Sequence, residues 1–202
     1  MAIPTRQEIA NNLNGAWLLV KHDRGGVNWL DGSVDGFWKS FYAAVLLAPF
    51  YMLMLWLARY SMATEADLTA VFLIEAVAYV GAWMFWPMVA SEICRFLDPT
   101  MDARTYIVGC NWSEVWIMAL RLPLLTLAVS GIFSDGAYVI LSLIAMIAVI
   151  YYRYIIARET LPAATPVAAG LAITDMVAGI LWRMGTDMAV LPWLNVVSMP
   201  QV

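Results

Sequence analysis

Apolar residues dominate five stretches of the chain, and each is close to the ~20 residues that a helix needs to cross the hydrocarbon of a bilayer. The stretches cover about 37–58, 68–90, 106–130, 136–156 and 162–182. Backbone polar groups have no water to bind inside a bilayer, so a spanning segment forms a helix. The pattern therefore predicts an all-α, polytopic transmembrane helical bundle of about five spans.

The fifth stretch has a weaker pattern than the other four. It carries Asp175 in its interior and two prolines, Pro162 and Pro166, near its start. These features are compatible with a full span and also with a re-entrant or interfacial segment. With the fifth stretch the chain ends on the side opposite to its N-terminus, and without it both ends lie on one side.

Residues 1–36 precede the bundle and contain a short amphipathic pattern. Thr5 and Glu8 stand in the spacing of a capping box, in which each side chain binds the backbone N–H of the other residue. Apolar residues then recur at helical spacing from Ile9 to Val20. This predicts a helix that either lies on the membrane surface or packs on the end of the bundle. Residues 37–184 would form the bundle and 185–202 a C-terminal tail.

Composition agrees with a membrane protein and excludes a nucleic-acid-binding one. The chain is 63% hydrophobic and 13% charged, whereas a soluble domain is nearer half apolar and a quarter charged. The formal net charge of −4 leaves no basic surface to neutralise phosphates. The expected partners are the lipid bilayer and other membrane proteins, including further copies of the chain, and not nucleic acid.

Basic residues are distributed unequally between the two sides of the predicted bundle. Two of the eleven Lys and Arg residues, Arg59 and Arg183, fall on one side, and Arg121 lies within a span. The positive-inside rule places the basic side in the cytoplasm, so the N-terminus is expected to be cytoplasmic. The eight on that side are Arg6, Lys21, Arg24, Lys39, Arg95, Arg104, Arg153 and Arg158.

Three ionisable residues on three spans have similar predicted depths. At 1.5 Å per residue, Glu75, Arg121 and Asp175 lie ~10, ~14 and ~11 Å below the same membrane surface. The guanidinium of Arg121 could donate hydrogen bonds to both carboxylates, so the sequence predicts a Glu75–Arg121–Asp175 charge layer. Asn111 and Glu114 share a helix face with Arg121, and Glu114 would meet Asn111, a tyrosine or the cytoplasmic interface.

Two interpretations of this charge layer are open. It could be a structural contact that fixes the register of the helices, or a proton-titratable or substrate-binding site. No catalytic or nucleotide-binding motif occurs in the sequence, and its single histidine supports no zinc site. We expect no enzymatic activity, cofactor or metal.

The pattern as a whole resembles the small bacterial membrane proteins related to the Yip1 family. The resemblance rests on the N-terminal segment, on about five spans in a chain of this length, on "GFWKSF" entering span one, and on "CNWSEVW" followed by a proline in span three. It covers most of the chain and is topological more than motif-based. It implies a multi-pass protein of the bacterial inner membrane without a known activity.

Two functions are therefore expected at this stage. The first is a non-enzymatic membrane scaffold or assembly partner. The second is a small oligomeric transporter or channel that uses the charge layer. A water-filled cavity that reaches Arg121 would favour transport over the scaffold.

Overall fold

The computed structural model describes residues 3–60, 65–66 and 68–195, and helices account for most of them. The helices are α1 (Arg6–Val20), α2 (Val34–Ser40), α3 (Tyr42–Tyr60), α4 (Leu68–Leu97), α5 (Arg104–Val129), α6 (Asp135–Thr160) and α7 (Thr165–Val190), with 3-10 turns at Arg24–Trp29 and Leu191–Trp193. The strands β1 (Glu65–Ala66) and β2 (Leu194–Asn195) form one short antiparallel pair.

Five helical segments are long and apolar enough to cross a membrane, which confirms the predicted fold class. They are Val34–Ala58, Thr69–Leu97, Arg104–Val129, Asp135–Thr160 and Thr165–Trp193. The fifth is a continuous helix of ordinary spanning length rather than a short re-entrant segment. The chain is thus a helical membrane protein with five candidate spans.

Helix α7 continues to Val190, further than the hydrophobic pattern predicts. The pattern ends near 182 because Arg183 and Asp187 follow, and both look like residues of a polar tail. In the structure these two side chains form an ion pair at helical i,i+4 spacing, which is compatible with a continuing helix. Residues 185–190 are therefore helix, and 196–202 of the predicted tail lie outside the described residues.

Helix α5 packs between α3 and α6. Neighbouring pairs are α3–α5, α5–α6, α6–α7 and α7–α4, and the side chain of Tyr79 on α4 reaches the carbonyl of Ala44 on α3. Much of the core surrounds the N-terminal half of α5, where the side chains of Tyr106, Ile107 and Trp112 are fully or almost fully buried. This half of α5 lies at the end of the bundle that carries α1, which we call the α1 end.

Helix α1 packs on the bundle, and this is the second of the two predicted positions. The carbonyl of Ala16 accepts a hydrogen bond from the Tyr152 hydroxyl at 2.7 Å, and that of Leu13 accepts one from Trp116 Nε1 at 3.1 Å. The capping box between Thr5 and Glu8 is present. The apolar face of α1 is therefore turned toward α5 and α6 rather than toward lipid.

Candidate functional site

Glu75 on α4 is fully buried and is bound by Arg183 on α7. The two terminal guanidinium nitrogens donate to the two carboxylate oxygens, Nη1 to Oε2 at 2.9 Å and Nη2 to Oε1 at 2.8 Å. The hydroxyl of Tyr51 on α3 donates to Oε2 at 2.9 Å. Arg183 also binds Asp187 on its own helix. This group, the Glu75–Arg183 pair, therefore links three spans in the half of the bundle away from α1.

A second buried group surrounds Arg153 on α6. Its guanidinium binds Glu114 on α5, and its Nη1 donates to the Cys110 carbonyl at 2.8 Å and to Ser113 Oγ at 2.9 Å. Arg153 Nε lies 3.0 Å from Asp175 Oδ2 on α7, an ion pair in which the N–H is not aligned as a hydrogen bond. This group, the Arg153 cluster, holds two carboxylates with one cation.

Arg121 makes no ion pair within the described part of the chain, so the predicted Glu75–Arg121–Asp175 layer is wrong in its pairing. The predicted depth of Asp175 was measured from residue 182, but α7 ends at Val190. Asp175 consequently lies ~22 Å from that end, close to the level of Glu114, and not with Glu75 at ~10 Å. Arg121 still acts on Asp175 through a longer-range Coulombic attraction.

Asn111 and Glu114 also have different partners from those expected. Asn111 is buried and its Nδ2 donates to Ser40 Oγ at 2.8 Å, which joins α5 to α2. Glu114 binds Arg153 rather than Asn111, a tyrosine or the interface. Arg153 was missed because its position near the end of an apolar stretch resembles that of an ordinary cytoplasmic basic residue.

An open cleft of about 530 Å³ lies among α3, α4, α5, α6 and α7. Apolar and aromatic side chains such as Trp83, Met118 and Met146 form most of its wall. Arg121, Arg153, Asp175 and Arg183 also line it, so the cleft contacts both buried ionic groups as well as the unpaired arginine. A single cavity therefore brings together charges from the two halves of the bundle.

Two further properties of the cleft bear on its chemistry. The side chain of Arg121 is exposed although it lies in the interior of α5. Trp86, which lines the cleft, has an indole Nε1 that is buried and finds no hydrogen-bond acceptor among the described residues. A buried N–H without an acceptor is uncommon in folded proteins.

Among the residues that the structure describes, no three His, Cys, Asp or Glu side chains come close enough to hold a metal ion. The two acidic groups at the Arg153 cluster are bound to a guanidinium, and Cys110 is a buried free thiol. The charged and polar side chains of the cleft can bind charged or polar groups.

Comparison with family models, with curated proteins and with solved structures finds no match to this chain.

Proposed function

We propose that this protein is a small, non-enzymatic membrane transporter in which the cleft holds a charged solute during its passage. The observation that carries the proposal is the exposed guanidinium of Arg121 within that cleft. An arginine at the centre of a span costs ~2.5–3.5 kcal/mol on insertion scales unless it meets a counter-charge or water. Arg121 has no ion pair within the described residues, so the cleft has to supply one of these.

The other two intramembrane arginines differ from Arg121 in having carboxylate partners. Arg153 and Arg183 each bind two carboxylates, and at least one carboxylate of each set comes from another helix. A purely structural Arg121 would be expected to have the same kind of partner. Its guanidinium is instead presented to the cleft, where it can bind an anionic group of a solute with two parallel N–H donors.

The Arg153 cluster supplies further charged groups for the same cleft. Its guanidinium binds both Glu114 and Asp175, so two carboxylates share this cation. Arg121 also attracts Asp175 at longer range. These charges would influence how a charged solute binds beside Arg121.

A scaffold or assembly partner, including self-association, is the second candidate. Five candidate spans favour it, because an odd number of spans cannot by itself form a complete inverted repeat of the kind common in transporters. Helix α1 is less suited to bind a partner than its sequence indicates, since the residues Ala16 and Leu19 are fully buried against the bundle. A scaffold would need no water in the cleft.

We further propose that the membrane is the bacterial inner membrane and that the N-terminus is cytoplasmic. The orientation is supported by the distribution of the basic residues outside the membrane. Arg121, Arg153 and Arg183 are intramembrane and are not counted. Only Arg59 then falls at the end opposite to α1. The seven at the α1 end are Arg6, Lys21, Arg24, Lys39, Arg95, Arg104 and Arg158. The bacterial location is supported only by the resemblance to Yip1-related proteins.

Sided chemical labelling separates transport from a scaffold. Met118 lines the cleft, so Met118→Cys in a chain with Cys94 and Cys110 replaced by alanine places one thiol there. A membrane-impermeant methanethiosulfonate should modify it in vesicles of either orientation, because a transporter opens its cleft to both sides in turn. Ile144→Cys on the exposed outer face of α6 is the matched control and should not react. A Met118→Cys thiol that is unreactive from both sides would contradict transport.

A further inference from the structure

A separate pocket lies at the α1 end, away from the cleft. It has a volume of about 400 Å³ between the residues that follow α1 and the last turns of α6. Leu19 and Ile155 contribute apolar walls. The polar lining consists of His22, Arg24, Tyr151, Tyr154, Arg158 and Glu159.

Hydrogen-bond donors outnumber acceptors in this pocket. The carboxylate of Glu159 lies 3.3 Å from Arg24 Nε, so it is already engaged by one cation. Arg158 donates from Nη1 to the Tyr154 hydroxyl at 2.9 Å and has no carboxylate within 4.0 Å among the described residues. One guanidinium is therefore left with uncompensated positive charge, a condition that favours an anion with several acceptor oxygens.

His22 is held in an unusual backbone conformation beside these groups. Its φ of 62° is the only positive value for a non-glycine residue in the described part of the chain, and this region is uncommon for residues with a side chain. The imidazole lies against Tyr151, with ring centroids 5.4 Å apart. The turn thus places the imidazole of His22 in the lining of the pocket.

An apolar stripe on α6 continues from the pocket through the middle of the membrane. Ile140, Ile144, Ile147 and Tyr151 follow at helical spacing, and each is more than half exposed. Arg158 lies two residues before the end of α6, ~3 Å along the axis, which is the level of lipid headgroups for a helix that spans the hydrocarbon. Basic groups at headgroup level above an exposed apolar stripe match the two parts of a phospholipid.

We propose that this pocket binds the phosphate of an anionic phospholipid from the adjacent leaflet, with an acyl chain along the stripe on α6. Arg158 and Arg24 hold the phosphate oxygens, and His22 and Tyr151 close the pocket on the side of the headgroup. The site is independent of the cleft and of the proposed transport. The turn after α1 contributes His22 and Arg24 to this lipid site, which α6 alone does not form.

Native mass spectrometry of the full-length protein in detergent tests this proposal. The protein is titrated with phosphatidylglycerol and with phosphatidylcholine of the same acyl chains. We expect tighter binding of phosphatidylglycerol, and a loss of about fivefold in its affinity for Arg158→Gln, the factor that one basic residue near an anionic surface contributes. Arg24→Gln/Arg158→Gln should bind the two lipids equally. Arg158 is exposed, so the variant should unfold thermally like the parent.

Arg95→Gln is the matched control, because Arg95 is an exposed cation at the same end of the bundle and lies outside the pocket. It should keep the wild-type preference. An equal loss in Arg95→Gln would show diffuse attraction and overturn the proposal, as would equal binding of both lipids by the wild type. Glycerol phosphate, which has the headgroup without the chains, should not compete at equal concentration, and competition by it would assign the pocket to a free phosphate instead.

Discussion

Arg183 donates hydrogen bonds to both carboxylate oxygens of Glu75 across the interface between α7 and α4, at 2.9 and 2.8 Å. Glu75 is wholly buried, whereas the Arg183 side chain is 42% exposed and also binds Asp187. The pair therefore has one member that is wholly buried and one that is partly exposed. Removing Arg183 takes two charge-assisted hydrogen bonds away from a buried carboxylate.

This pairing predicts which mutations are coupled. Arg183→Leu should lower the free energy of unfolding in detergent by roughly 2 kcal/mol, below the ~3–5 kcal/mol of a fully buried pair because Arg183 is partly exposed. Adding Glu75→Gln should restore part of that loss, with a coupling of at least ~1 kcal/mol in a double-mutant cycle. The same cycle with Arg121→Leu should be additive to within ~0.5 kcal/mol. Strong coupling of Glu75 to Arg121 would mean that the pairing described here is not the one that holds the bundle.

Replacing the arginine should destabilise the protein more at the Arg153 cluster than at the Glu75–Arg183 pair. The Arg153 side chain is 7% exposed and binds side chains on α5 and α7, as well as the carbonyl of Cys110. Arg153→Leu should cost ~3 kcal/mol of unfolding free energy because two carboxylates lose their cation. Asp175→Asn in that background should recover part of the loss. Arg95→Leu, at an exposed surface position, should change the stability little, and an equal effect there would contradict a special role for Arg153.

The fold and the acidic residues Glu75, Glu114 and Asp175 could be predicted from the sequence, but the cations Arg153 and Arg183 that bind them could not. Apolar length alone determines that helices span the membrane, and for this reason five candidate spans were found. Which charges pair depends on their relative depths in the membrane. If the predicted end of a helix is wrong, the depth of every residue counted from that end is wrong by the same amount. Asp175 was misplaced in this way because the ion pair of Arg183 and Asp187 inside α7 looked like the start of a tail. The position of α1 depended on tertiary hydrogen bonds such as that from Tyr152, which no local pattern encodes.

The proposed orientation can be measured at two loops on opposite sides of the bundle. Thr100 lies between α4 and α5 at the α1 end, and Ile132 lies between α5 and α6 at the other end; both are exposed. In a chain without its native cysteines, Ile132→Cys should react with an impermeant thiol reagent in intact cells. Thr100→Cys should react only after the membrane is made permeable, because the seven basic residues at its end of the bundle favour the cytoplasmic side. The reverse pattern would place the N-terminus outside.

Glu8 predicts how the docking of α1 depends on pH. Lys39 Nζ donates to Glu8 Oε1 at 2.6 Å and the Thr5 backbone N–H donates to Oε2, also at 2.6 Å. The contact with Lys39, followed by those with Thr5, lowers the pKa of Glu8 to about 2. A carboxyl in an unfolded chain has a pKa of ~4.3, so the contribution of Glu8 is complete above that value and is lost as the pH falls from ~4.3 toward 2.

We therefore expect the amides in the first turn of α1 to lose hydrogen-exchange protection across this pH window in the wild type. Glu8→Gln retains a capping-box residue but not the charge that binds Lys39. Its protection should be lower than that of the wild type at neutral pH and nearly constant down to the acid end of the window. Asp35→Asn is the control, because Asp35 also contacts Lys39, at 2.7 Å, but does not belong to the capping box. It should keep the acid-dependent loss of the wild type. A Glu8→Gln profile that falls as steeply as the wild type would show that other carboxylates hold α1 in place, since the variant has no carboxyl at position 8 left to protonate.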